Sequence, residues 1–75
     1  MSKKTAMLLE VLVDGERLQM DDGSIWVISP SDVPTVCSWI PTATIRISNS
    51  SGNRLFPYVL KNEYINVSVD AMKVV

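Results

Sequence analysis

Apolar and polar residues alternate along most of this chain, and a period of two is the signature of a half-buried β-strand. In the first segment Leu9, Val11 and Val13 share one face, with Leu8, Glu10 and Leu12 on the other. Asp14-Gly15 follows as a turn, because glycine tolerates the positive φ that tight turns need. Leu18 and Met20 then alternate with Arg17 and Gln19, Asp21-Asp22-Gly23 reverses the chain, and Ile25-Trp26-Val27-Ile28 returns. Residues 17–28 therefore predict a hairpin, in which either Trp26 or the pair Ile25 and Val27 faces the core.

The alternation breaks over residues 29–41. Ser29-Pro30-Ser31-Asp32 has the form of a helix start, a capping serine followed by proline and then an acid. Pro34 prevents a long continuation, so a short helical or 3₁₀ turn is expected. Val36, Cys37, Trp39 and Ile40 are apolar enough to pack under a sheet, and Pro41 ends the segment. Alternation resumes at Ile45 and Ile47, on either side of Arg46. Asn49-Ser50-Ser51-Gly52-Asn53 is a polar turn cluster. Phe56, Tyr58 and Leu60 form a fifth strand, with Pro57 at an edge or bulge because it has no N–H for a ladder. After a turn at Asn62-Glu63, Ile65, Val67 and Val69 are expected inside, and Asn66, Ser68 and Asp70 outside.

The expected strands are thus 7–13, 17–20, 25–29, 43–48, 55–60 and 65–73, all antiparallel. A flat sheet of this kind would leave one apolar face in water, and closure removes that face together with the exposed edges. The expected fold is all-β: a small antiparallel barrel of SH3-like or OB-like type with a short helical turn. Its 75 residues form one domain, with residues 1–6 expected to be flexible.

Composition narrows the function more than it identifies it. A chain that is 47% hydrophobic and 20% charged is globular rather than disordered. A net charge of −1 lacks the basic excess by which most nucleic-acid binders neutralise phosphates. Cys37 is the sole cysteine and there is no histidine, so neither an intrachain disulfide nor a four-ligand zinc site can form. Without histidine a serine or cysteine nucleophile has no ordinary base, so the expected function is non-catalytic, with no cofactor and no metal. In its apolar stretch Cys37 reads as a small buried hydrophobe rather than a reactive thiol. Asp14, Glu16, Asp21 and Asp22 sit in or beside turns, where they are read as local hydrogen-bonding groups rather than an acid–base pair. Lys3-Lys4 before the apolar run Ala6 to Leu9 imitates a signal peptide, but Glu10, Asp14 and Glu16 interrupt it. The expectation is a cytoplasmic protein that engages no membrane, with export disfavoured. Asn49-Ser50-Ser51 and Asn66-Val67-Ser68 match the glycosylation pattern, which carries no meaning in that compartment.

Leu18, the run Asp22-Gly23-Ser24 with Trp26, Ile28-Ser29-Pro30 with Asp32, and Trp39 together resemble a set of short bacterial proteins of uncharacterised function. Ile45-x-Ile47, Pro57-Tyr58, Leu60-x-Asn62 and the ending Val67-x-Val69-x-Ala71 fit the same pattern, so the resemblance covers residues 18–75. It implies a small β-barrel and brings no assigned activity with it.

Trp26, Trp39, Phe56, Tyr58 and Tyr64 are more aromatic volume than so small an interior readily holds. The plainer reading makes Trp26 and Trp39 core residues that close the two ends of the barrel. The sharper one is a binding face of Trp26, Trp39 and Tyr58 with Arg46 and Arg54. Two functions remain open. One is a binding or scaffold module for a protein partner or a second copy of itself, acting through an aromatic patch or an open strand edge, with the first strand as the better edge. The other is a single-stranded nucleic-acid-binding barrel, using Arg17, Arg46, Arg54 and Lys61 around an aromatic ring. The charge balance favours the protein partner.

Overall fold

The computed structural model describes residues 4–49 and 52–74. Six strands are present: β1 (Lys4–Leu12), β2 (Arg17–Met20), β3 (Ile25–Ile28), β4 (Thr44–Ser48), β5 (Tyr58–Asn62) and β6 (Val67–Lys73). They close into an antiparallel barrel in the order β1-β2-β3-β6-β5-β4, with β4 returning to β1. The barrel is therefore two three-stranded meanders, β1 to β3 and β4 to β6, joined along the β3–β6 and β1–β4 seams. Every described strand has a neighbour on both sides, so the open edge expected at the first strand does not exist.

The period-two pattern accounts for the interior. Leu18 lies opposite Trp26, Ile28 opposite Ala71, Ile47 opposite Leu60, and Leu60 opposite Val69, all buried. Trp26 faces inward, which sends Ile25 and Val27 to the outer surface. In β1 the phase changes midway: Ala6 and Leu8 point in, and a bulge between Leu8 and Glu10 then brings Val11 onto the core. The extra residue bends the strand so that its first half pairs with β4 and its second with β2. Lys4–Ala6 belong to this strand rather than to a flexible terminus, and residues 1–3 lie outside the described residues.

The segment between β3 and β4 runs over one end of the barrel. A 3₁₀ turn, Pro30–Asp32, leads into a single α-helical turn, α1 (Val33–Val36), as expected where Pro30 starts and Pro34 limits a helix. Val36 and Trp39 plug the barrel end. Cys37 and Ile40 are exposed, which corrects the expectation that all four apolar residues are covered. Cys37 caps the helical turn directly after the inward Val36 and so faces away from the core, while Ile40 lies beyond the turn. The Cys37 thiol instead donates to the Asp14 carbonyl at 2.7 Å.

Two further expectations shift. The fifth strand begins at Tyr58 rather than near residue 55, because the Asn53 side-chain oxygen accepts the N–H groups of Leu55 and Phe56 and holds that stretch in a turn. The sixth begins at Val67, since Asn66 takes a left-handed φ of 61° and donates its N–H to the Asn62 carbonyl. Ile65 is caught in that turn and is exposed instead of buried.

Candidate functional site

Of the five residues that sequence singled out as a binding face, Trp26 and Tyr58 meet, but both tryptophans are buried rather than presented on a surface. Trp26 is buried, and its ring meets Tyr58 edge-on at 5.1 Å. The Lys73 ammonium lies 6.0 Å from the centre of the same indole, covering that end of the barrel. Trp39 is buried in the segment that closes the opposite end. The two tryptophans are thus core, as the plainer reading had it, and neither offers a ring face to a ligand. Arg46 approaches Glu63 at 3.0 Å on the β4–β5 surface, an ion pair in which its Nε–H is not aligned on the carboxylate. Arg54 is exposed on the β4–β5 connection.

The Asp-Gly-Ser-x-Trp run has a structural explanation. Asp22 accepts both the N–H and the hydroxyl of Ser24, at 2.9 and 2.6 Å. Ser24 in turn accepts the indole N–H of Trp26 at 2.9 Å. The β2–β3 turn therefore fixes the orientation of the largest core side chain. The Ser24 hydrogen bonds hold the Asp22 carboxyl below its ordinary value, with smaller contributions from Lys4 and Lys73. Asp21 has a local task as well, accepting the Met7 N–H at 3.1 Å. Both acids are thus engaged in hydrogen bonds within and beside their turn. Among the described residues no group of His, Cys, Asp and Glu is placed to hold a metal ion.

What the barrel does present is a groove on its outer wall. Val27 and Ile28 of β3, Pro30 of the 3₁₀ turn, Val33 of α1, Phe56 and Glu16 line an open volume of about 450 Å³. That falls within the roughly 300–1,000 Å³ of small-ligand and side-chain sites. Each wall follows from local structure. Val27 is outward because Trp26 is inward. Its cross-strand neighbour on β6 is Met72, which extends the apolar surface beyond the groove. Phe56 is positioned by the Asn53 turn. Pro30 and Val33 are held by Asp32, whose side chain accepts the Asp70 N–H at 2.9 Å, while Ser29 donates its N–H to the Asp70 carbonyl. Glu16 carries the groove's charge, and its own carbonyl accepts the Ile28 N–H.

The other end of α1 is fixed by close packing. Val13, Asp14 and Gly15 form a left-handed run, with φ of 50°, 53° and 98°. A side chain at Gly15 would come within 2.8 Å of the Cys37 sulfur and 3.0 Å of the Val33 carbonyl oxygen. A second, smaller groove of about 240 Å³ lies between Ile40, Thr42, Ala43 and Tyr64. It is not joined to any residue of the first.

Sequence reasoning passed over Glu16, Val27, Pro30, Val33 and Phe56 as a group. The available signal was the β3 alternation: once Trp26 is assigned inward, Ile25 and Val27 become apolar residues on an outer face. Among the described residues no helix is long and apolar enough to cross a membrane. Comparison with protein-family models, with curated proteins and with solved structures finds no match.

Proposed function

We propose that this chain is a non-catalytic protein-binding module, and that its partner inserts an apolar side chain into the groove of Val27, Pro30, Val33 and Phe56. The observation that carries the reading is the groove itself. It is a concave, largely apolar site built on strand and helical-turn backbone, which is how small folds present a place for a partner's anchor residue. Closure of the barrel removes strand addition as the mode of attachment and leaves side-chain insertion. A small barrel used as a rigid frame for a surface site is in keeping with SH3-like and OB-like modules. The free thiol of Cys37 suits a reducing compartment, which supports the cytoplasm as the place of action.

The single-stranded nucleic-acid reading is weaker. Its stacking residues Trp26 and Trp39 are in the core, and its Arg46 is paired with Glu63. The test selects binders from a randomised peptide library displayed on phage, using the immobilised full chain. Enrichment that disappears with Phe56→Asp supports the module. Absence of enrichment, together with salt-sensitive binding of a labelled single-stranded oligonucleotide, overturns it in favour of the second reading.

A further inference from the structure

The two meanders meet along the β1–β4 and β3–β6 seams, and the chain passes from one to the other through residues 29–43. Where that connection enters β4 its backbone is strained. Pro41 has its own φ locked by its ring, so the reversal of direction falls on Thr42. Thr42 has a φ of 75°, a left-handed conformation that a β-branched residue adopts only under constraint. The constraint is visible at Leu8, whose carbonyl accepts the Thr42 N–H at 2.7 Å and whose N–H is donated to the Ala43 carbonyl at 2.8 Å. The main chain is thereby held to β1 on both sides of the strained residue. Val13 is also β-branched with a positive φ, of 50°, but it lies inside the first meander, whereas Thr42 stands between the two. From this strained hinge between two separable halves we infer that the chain exchanges meanders with a second copy of itself, β4–β6 of each copy closing a barrel on β1–β3 of the other.

Such a dimer remakes both seams with the same residues, so the packing of each barrel is unchanged and only the hinge differs. An extended Thr42 crossing between two barrels takes the backbone conformation that β-branched residues prefer, which the closed monomer denies it. Relief of a strained hinge is the driving force for exchange of this kind. The entropy of bringing two chains together opposes it, so the monomer prevails at low concentration and the dimer at high. Exchange requires both seams to open, so the two forms interconvert slowly. The groove is rebuilt as well: Val27, Pro30 and Val33 come from one copy and Phe56 from the other. Under the protein-binding reading above, the dimer is then a bivalent module, while the exchange itself does not depend on that reading.

The experiment places a reporter across a seam. Thr5 and Arg46 are directly opposed on the β1–β4 ladder, at the separation a disulfide spans. The full chain carrying Thr5→Cys and Arg46→Cys, with Cys37→Ser, is refolded from urea at micromolar and at millimolar concentration. Monomer and dimer are separated by size with light scattering, diluted, and only then oxidised. The bridge forms within one chain in the monomer and between chains in the exchanged dimer. The dimer fraction is therefore expected to stay a covalent dimer on a non-reducing denaturing gel, and the monomer fraction to run as a monomer. Without the added cysteines, Thr42→Gly is expected to raise the dimer dissociation constant at least about tenfold. Glycine takes the left-handed φ freely, each left-handed threonine shifts the balance about five- to thirtyfold, and every dimer relaxes two. Circular dichroism establishes that the variants keep the barrel. A dimer that separates on the gel after oxidation is a surface association and overturns the inference. Absence of any dimer at millimolar concentration overturns it too, as does a dimer equally stable in Thr42→Gly. Each of these results leaves the groove and its peptide selection standing.

Discussion

The carboxylate of Asp32 accepts the main-chain N–H of Asp70 at 2.9 Å, pinning the 3₁₀ turn and α1 to strand β6 from far away in sequence. Beside it, Ser29 donates its N–H to the carbonyl of the same Asp70, so the β3–β6 ladder continues into the turn. Removing the carboxylate frees the wall of the groove that carries Pro30 and Val33. Asp32→Ala is expected to cost about 1–2 kcal/mol of stability, the scale of a charged hydrogen bond to backbone that is partly exposed. Asp32→Asn keeps an acceptor and should cost less. Urea unfolding followed by Trp fluorescence measures both, and equal losses would show that the acceptor is not what matters.

Gly15 and Gly23 both have positive φ, but only one is crowded. Gly15→Ala adds a methyl against the Cys37 sulfur and the Val33 carbonyl, whereas Gly23→Ala meets nothing within 4 Å. The second substitution should cost about 1–2 kcal/mol, the conformational penalty of a left-handed L-residue. The first should cost clearly more, because α1 must move away. Thermal melts of the two variants compare them directly, and a Gly15→Ala melt no lower than that of Gly23→Ala would contradict the packing.

Folding favours the ionised form of Asp22, since its carboxyl is held below the ordinary value of 3.8 by the Ser24 hydrogen bonds. A group with a lowered folded pKa contributes stability that is present above its unfolded pKa and lost as pH falls through the folded one. The Asp22 contribution should therefore hold at neutral pH and fade below about pH 3.8. Asp22→Asn should remove that part of the acid dependence. The indole of Trp26 reports the change through Ser24, so its emission in an acid titration is the signal to follow.

Leu60 is buried at the centre of β5, between Ile47 and Val69, while Ser68 faces solvent one residue away from Val69. Leu60→Ala should cost about 2–5 kcal/mol, the range for a large-to-small change in a close-packed core. Ser68→Asp should stay within about 0.5 kcal/mol of the parent. Denaturant midpoints of similar size for both would mean that the register of β5 on β6 is different.

Cys37 in the native protein should react with an aromatic disulfide reagent much faster than the barrel unfolds, because the thiol is at the surface. A rate limited by unfolding would bury it.

Strand positions and inward faces were legible because alternation, glycine turns and proline breaks are written locally, as in Leu18-x-Met20 or Ile45-x-Ile47. The misplacements share a cause. Cys37 and Ile65 are apolar residues whose exposure is decided by backbone that does not alternate: one helical turn in the first case, a left-handed Asn66 in the second. The bulge after Leu8 is also silent in sequence, since nothing in Leu9-Glu10 marks a change of phase. The groove was least legible of all. Glu16, Val27, Val33 and Phe56 come from four separate stretches, and only the closing of the barrel brings them to one wall.

Joining the two meanders by two seams sets an order of events for assembly. Each meander is held by neighbours in sequence and can form early, but the β1–β4 and β3–β6 ladders need both halves present. Contacts of such separation slow folding, so the seams belong to the late, rate-limiting part of the process. On the ribosome β1 emerges first, yet it waits for β4 before its N-terminal half has a partner. During that wait Ala6 and Leu8, which the closed barrel covers, are still open to water, and they are what a nascent chain of this protein offers to a chaperone.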